Sequence, residues 1–203
     1  CCWGFLVLLV VKYSGHTLDT FAERAFMYRI LFICHGNICR STLAQFVMQD
    51  LVNRAGCADD FAIDSAATTN DEIGHPPHQG TVRKLQQVGV PVLRHRARKV
   101  RCEEYDNWDL IVFMDDENDH HLRRIFGVDP DGKCVRLLAF VPGAGLVGED
   151  GSVLPGAHDA AAVSYASVHA ADVADPWFTG NFDDTYRDVL AGCTGLLTWC
   201  NDK

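Results

Sequence analysis

Apolar and polar positions alternate along the chain between two periods. Tyr28–Ile33 (YRILFI) is rich in β-forming residues and apolar but for Arg29, which suits a buried strand. Leu43, Phe46, Val47 and Leu51 follow at helical spacing. Phe61–Ile63 reads as a second strand, running into the polar, turn-rich SAATTNDEIGHPPH. Val82–Val88 suits a helix closed by Gly89. Asp109–Met114 (DLIVFM) reads as a third strand, followed by a charged helix through Arg124, and Cys134–Ala139 (CVRLLA) as a fourth strand. Phe182, Tyr186, Val189, Leu190, Cys193, Leu196, Leu197 and Cys200 form one helical stripe, which core packing alone accounts for. Such alternation implies an α/β fold, a parallel sheet covered by helices on both faces, with ligands bound beyond the carboxyl ends of the strands.

Two stretches fall outside the pattern. Residues 1–26 begin with the apolar CCWGFLVLLVV, shorter than the roughly 20 residues that span a bilayer, and without the basic start of a signal peptide. They are taken as a non-native or dispensable extension, leaving 27–203 as the domain. Residues 142–174, rich in Gly, Ala and small polar residues, are expected to be a surface insertion; a partial lid is the alternative.

The 203 residues carry a net charge of -9, which argues against general nucleic-acid binding and against attraction to anionic membranes. A phosphorylated ligand must therefore be captured locally. Nine cysteines, odd in number and scattered without any C-x-x-C pair, favour a reducing, cytoplasmic setting over a disulfide-stapled secreted domain. His75, His78, His120 and His121 lack further ligands at metal-site spacing, so no metal is expected. The cationic run Arg94–Arg101 (RHRARKVR) reads as a solvated charged face.

The candidate chemistry lies in ICHGNICRST, residues 33–42, where a strand gives way to a helix. A redox pair, half a metal site and an anion loop beside a nucleophile all place cysteines in this way. The neighbours favour the last. Gly36 permits a sharp turn and Asn37 tolerates the left-handed conformation, so successive N–H groups of His35, Gly36, Asn37, Ile38 and Cys39 can converge on an anion. The following helix N-terminus adds its dipole, and Arg40 adds a planar fork for two phosphate oxygens. Such a field favours Cys34 as its thiolate, and Ser41 could donate a hydrogen bond to it. Expelling a phenol also needs a proton donor. ADPWFTG offers Asp175, held extended by Pro176, with Trp177 and Phe178 to wall a slot for an aromatic ring.

CHGNICRS followed far downstream by DPWF resembles the low-molecular-weight protein tyrosine phosphatase family. The likeness runs from Met27 to about Cys200 and takes in DSAAT (64–68), IGHPPH (73–78), ARKV (97–100) and VFMDDEN (112–118). It implies a three-layer α/β/α sandwich on a four-stranded parallel sheet, and a two-step reaction needing no cofactor. By that resemblance Cys34 becomes a cysteinyl-phosphate, Arg40 holds the phosphoryl group and Asp175 serves as acid, then base. Asn37, Ser41, Ser65 and His95 would hold the loop in shape. Partners would be phosphotyrosine proteins or small aryl phosphates. Asp71 stands beside the pocket where eukaryotic members often carry an aromatic residue, which removes a stacking wall and disfavours acidic peptides. Arsenate reductases share the fold and loop but need further cysteines, for which Cys102 and Cys134 are candidates. Protein arginine phosphatases resemble the loop with Thr at the position of Ile38. A non-catalytic phosphate-binding module is the remaining alternative.

Overall fold

The computed structural model describes residues 27–141, 167 and 170–202. The extension 1–26 and most of the expected insertion lie outside the described residues. Four strands, β1 (Tyr28–Cys34), β2 (Phe61–Ala67), β3 (Leu110–Phe113) and β4 (Cys134–Arg136), form one parallel sheet in the order β2-β1-β3-β4. The order reverses around β1, and in open α/β sheets the ligand crevice lies at such a switch point.

Because side chains alternate along a strand, β1 supplies both layers of core. Ile30, Phe32 and Cys34 face α1 (Arg40–Ala55) and the C-terminal helix, while Leu31 and Ile33 join Ile111, Phe113 and Leu122 on the opposite face. The second face is covered by α3 (Asp116–Phe126), and α2 (Gln79–Val88) packs beside α1. A single turn, α4 (Pro176–Thr179), precedes the C-terminal helix α5 (Phe182–Asn201), whose predicted stripe buries Val189, Cys193, Leu196 and Cys200. The three layers match the architecture that the resemblance implies.

Three differences from the expected elements have local causes. Strand β2 continues past Ile63 to Ala67, since Asp64–Ala67 pair with Leu31–Cys34 despite their polarity. Strand β4 stops at Arg136, and Leu137–Phe140 turn into a 3-10 helix against α5. There a Cβ at Gly195 would stand 2.1 Å from the Phe140 carbonyl oxygen, so only glycine lets α5 approach so closely. The cationic run is a solvated face only in part: Arg94, Arg96 and Arg101 are exposed, but its middle is built into the fold. Lys99 bridges to Ala67 at the end of β2, and the Arg98 guanidinium is tied to Asp64 and Glu104, each at 2.8 Å.

Candidate active site

Cys34 ends β1 and Arg40 begins α1, so the intervening loop lies at the carboxyl edge of the sheet. Asn37 carries the left-handed backbone there, with φ 57°, rather than Gly36. Gly36 has no positive φ, and a Cβ there would meet the Glu72 side chain, Cγ at 3.0 Å, so the two residues are packed closely. No side chain caps α1, so its first amide groups keep their donors for a ligand at the loop.

Asn37 is fully buried and serves as the hub of the loop. Its Oδ1 accepts from the Arg98 amide at 3.1 Å, which fixes the orientation of the side-chain amide. Its Nδ2 donates to Ser41 Oγ at 3.0 Å and Ser65 Oγ at 2.8 Å. Ser65 Oγ in turn donates to Gln45 Oε1 at 2.6 Å. Ser41 Oγ, which accepts from Asn37, lies 3.0 Å from Cys34 Sγ and has its own hydroxyl proton to offer a thiolate there. The Asn37 amide reaches the same sulfur at 3.3 Å. The Asn37 amide and the Ser41 hydroxyl thus both stand within hydrogen-bond reach of Sγ. The Asn37 carbonyl in turn accepts from Thr42 Oγ1 at 2.8 Å and from His95 Nε2 at 3.0 Å. Burial is the main influence on His95 and holds it below its usual 6.5, against the smaller opposing effect of its bond to the Asn37 carbonyl.

Arg40 is buried, 3% exposed, and its guanidinium stretches between two carboxylates. One nitrogen bonds Asp115, the N-cap of α3, and the other lies 2.7 Å from Asp175 Oδ2. Burial opposes its charge, but Cys34, Asp115 and Asp175 together outweigh that and raise its pKa. Asp175 caps α4 by accepting from the Trp177 amide at 2.9 Å. The segment before it is stitched to the sheet. Arg136, at the end of β4, bonds Asp172, Asp116 and the Ser167 carbonyl, and Val173 donates to the Met114 carbonyl at 2.9 Å. Ala174 is held from both sides, its amide by Asp188 at 3.1 Å and its carbonyl by Thr185 at 2.8 Å. The approach to Asp175 is thus anchored within the fold.

Cys34, His35, Gly36, Ile38, Cys39, Arg40, Asp71, Glu72, Glu117, Asp175, Trp177 and Phe178 line one cavity of about 300 Å³. Every sequence-derived candidate is thus placed either on this wall or, for Asn37, Ser41, Ser65 and His95, in the network behind it. Trp177 and Phe178 are 60% and 84% exposed, so they form a rim and not a closed slot. Asp71 is paired with His35 at 2.8 Å. Cys39 is distinct from Cys34: burial, then the neighbouring Cys34 and Asp175, push its thiol up to about 12. Cys102 is exposed and Cys134 lines a different cavity, so neither reaches the loop as a reductase shuttle requires. Sequence reasoning passed over Asp115, Gln45, Thr42, Arg98 and Glu117. Only the position of VFMDDEN at the carboxyl end of a strand could have drawn attention to Asp115 and Glu117.

A parallel four-stranded sheet with this loop at its switch point defines an α/β phosphate-handling protein. Residues 29–150 match the model of the family described as "Low molecular weight phosphotyrosine protein phosphatase". The low molecular weight protein-tyrosine-phosphatase YfkJ of Bacillus subtilis is 34% identical over 171 residues, 84% of this chain and 94% of the relative. Its crystal structure superposes with a TM-score of 0.71, covering 88% of this chain and 97% of that one. SP-PTP, the low molecular weight protein tyrosine phosphatase from Streptococcus pyogenes, is 28% identical with a TM-score of 0.62, covering 85% and 92%. The chain belongs to the low-molecular-weight protein tyrosine phosphatase family. Among the described residues no helix is long and apolar enough to cross a membrane.

Proposed function

We propose that the protein hydrolyses phosphotyrosine and related aryl phosphate monoesters through a cysteinyl-phosphate. The observation that carries this is the convergence of Cys34, Arg40 and Asp175 on one cavity with an aromatic rim. The phosphate dianion enters the loop and takes the Arg40 fork, displacing the Arg40–Asp175 contact and freeing Asp175. Cys34 Sγ attacks phosphorus while the bond to the phenol oxygen breaks, and protonated Asp175 gives its proton to that oxygen. Water then attacks phosphorus, the Asp175 carboxylate takes its proton, and the P–S bond breaks. Inorganic phosphate leaves and the thiolate returns, still supported by Ser41 and Asn37.

Ile38 lines the cavity and packs with Cys39 and Ala97, an apolar wall suited to a phenol ring more than to a guanidinium. In this reading the substrates are phosphotyrosine proteins or small aryl phosphates, and 27–203 is the catalytic unit. A nucleophilic thiol has to stay reduced, which favours the cytoplasm. Turnover should be measured on phosphotyrosine, phosphoarginine and arsenate with wild type and Cys34→Ser. Hydrolysis of phosphotyrosine that Cys34→Ser abolishes is expected; activity retained in that variant, or directed to phosphoarginine, overturns the assignment.

A further inference from the structure

His35 and Glu117 on the cavity wall and His121 in the adjoining hollow each present a ligand atom, and the three atoms lie within 4.8 Å of one another. Glu117 and His121 are four residues apart on α3 and share a face. His35 comes from the loop, so only the fold assembles the three, which is why histidine spacing along the chain excludes it. Tetrahedral zinc with bonds of about 2.1 Å needs ligand atoms about 3.4 Å apart. His35 Nδ1 and Glu117 Oε1 already stand at 3.4 Å, and the His121 nitrogen lies within 4.8 Å of both.

The outer partners favour a metal. A ligating histidine almost always donates its other ring N–H to a fixed acceptor, which sets the tautomer. His35 Nε2 lies 2.8 Å from Asp71, and His121 Nδ1 lies 3.1 Å from Thr68 Oγ1. In the tautomers that give those N–H groups to Asp71 and Thr68, His35 Nδ1 turns a lone pair toward the Glu117 carboxylate and His121 presents its other ring nitrogen to the same space. A cation there would join the three acceptors. The first turn of α3 also carries Asp116, Glu117 and Asp119, which offset the positive end of the helix.

We propose that His35, Glu117 and His121 form a regulatory site for a transition metal of the zinc class, and that its occupation narrows the mouth of the cavity over Cys34. Two imidazoles and one carboxylate suit zinc, cobalt or nickel better than magnesium or calcium. The ion takes no part in phosphoryl transfer. It stands between two residues of the cavity wall, so it competes with the aryl group of the substrate. The inhibitory part rests on the phosphatase assignment, whereas binding does not.

The test starts with cobalt titrated into the Cys34→Ser protein, which removes the catalytic thiolate as a ligand. One equivalent should bind with a visible spectrum free of sulfur-to-metal charge transfer, and His121→Ala should abolish it while leaving the metal-free melting temperature unchanged. Glu117→Gln should weaken binding at least tenfold. Zinc should raise KM for an aryl phosphate in the wild-type enzyme, with at least tenfold less effect on His121→Ala. Failure of Cys34→Ser to bind, binding unchanged by His121→Ala, or a charge-transfer band that survives it would overturn the site. Equal zinc inhibition of wild type and His121→Ala would overturn the regulatory role. Absence of phosphotyrosine hydrolysis in metal-free wild type would overturn the activity while leaving the binding result standing.

Discussion

The phosphate loop and the Asp175 segment meet at one arginine yet are built on opposite principles. The loop is braced from behind: Asn37 and Ser41 are fully buried, and every polar group of the Asn37 side chain has a partner. The Asp175 segment is fastened just upstream, through Val173 and Ala174, and then opens onto solvent with Trp177 and Phe178 exposed. Phosphate is the same in every substrate, so a rigid cradle loses nothing. Leaving groups differ, and an exposed rim can vary without disturbing the cradle. Recognition of the constant part of the substrate is thereby separated from recognition of the variable part.

The largest effect expected from breaking this comparison is at its join. Asp175→Asn should slow phosphoenzyme formation about a hundred- to ten-thousandfold with phosphotyrosine, and less with nitrophenyl phosphate, whose leaving group needs less help from an acid. Single-turnover kinetics across leaving groups would show this; an equal, small loss on every substrate would mean that another residue is the acid. Next is Arg136→Met. The arginine is buried while its partners Asp116 and Asp172 are exposed, so removing it strands no buried charge. A stability cost of about 1–3 kcal/mol is expected from the lost charge-assisted bonds, read by urea unfolding. The loss of kcat should again be greater for poor leaving groups, as fits a displaced acid; a loss independent of leaving group would refute that link.

His95→Gln probes the cradle side. The folded state holds His95 below 6.5, mainly by burial, so on acidification the unfolded chain binds this proton first. The stability that His95 contributes is full above about 6.5 and is lost as pH falls through its lower folded value. Glutamine keeps a donor without titrating, so unfolding free energies at pH 7 and pH 5 should differ less in the variant than in wild type. The smallest effect belongs to the rim. Phe178→Ala should raise KM for aryl phosphates about two- to tenfold with kcat unchanged, if one aromatic contact is lost.

What could be read from the sequence was local. The strand–loop–helix run from Tyr28 to Ala55 is contiguous, and its residue types each narrow the backbone, so loop and first helix were legible together. Asp175 stood out only through its pairing with the loop, because an Asp-Pro step by itself more often marks a turn. Strand β2 was cut short because Asp64 and Ser65 look like turn residues, and nothing local reveals that Ser65 is wanted inside the sheet to meet Asn37. Arg98 was taken for a solvated cation because its partners, Asp64, Glu104 and Asn37, come from three separate segments. Asp115 and the His35–Glu117–His121 cluster were missed for the same reason. Contacts that only tertiary folding creates leave no periodic signal.

The tether around Arg136 also bears on how much the chain can change in length. Ser167 and Asp172 are both fixed to the end of β4, and Ala174 is fixed to the C-terminal helix. A change of chain length upstream of Ser167 therefore meets these anchors before it reaches Asp175, which keeps its distance from Arg40. The chemistry is insulated from length at this point of the chain.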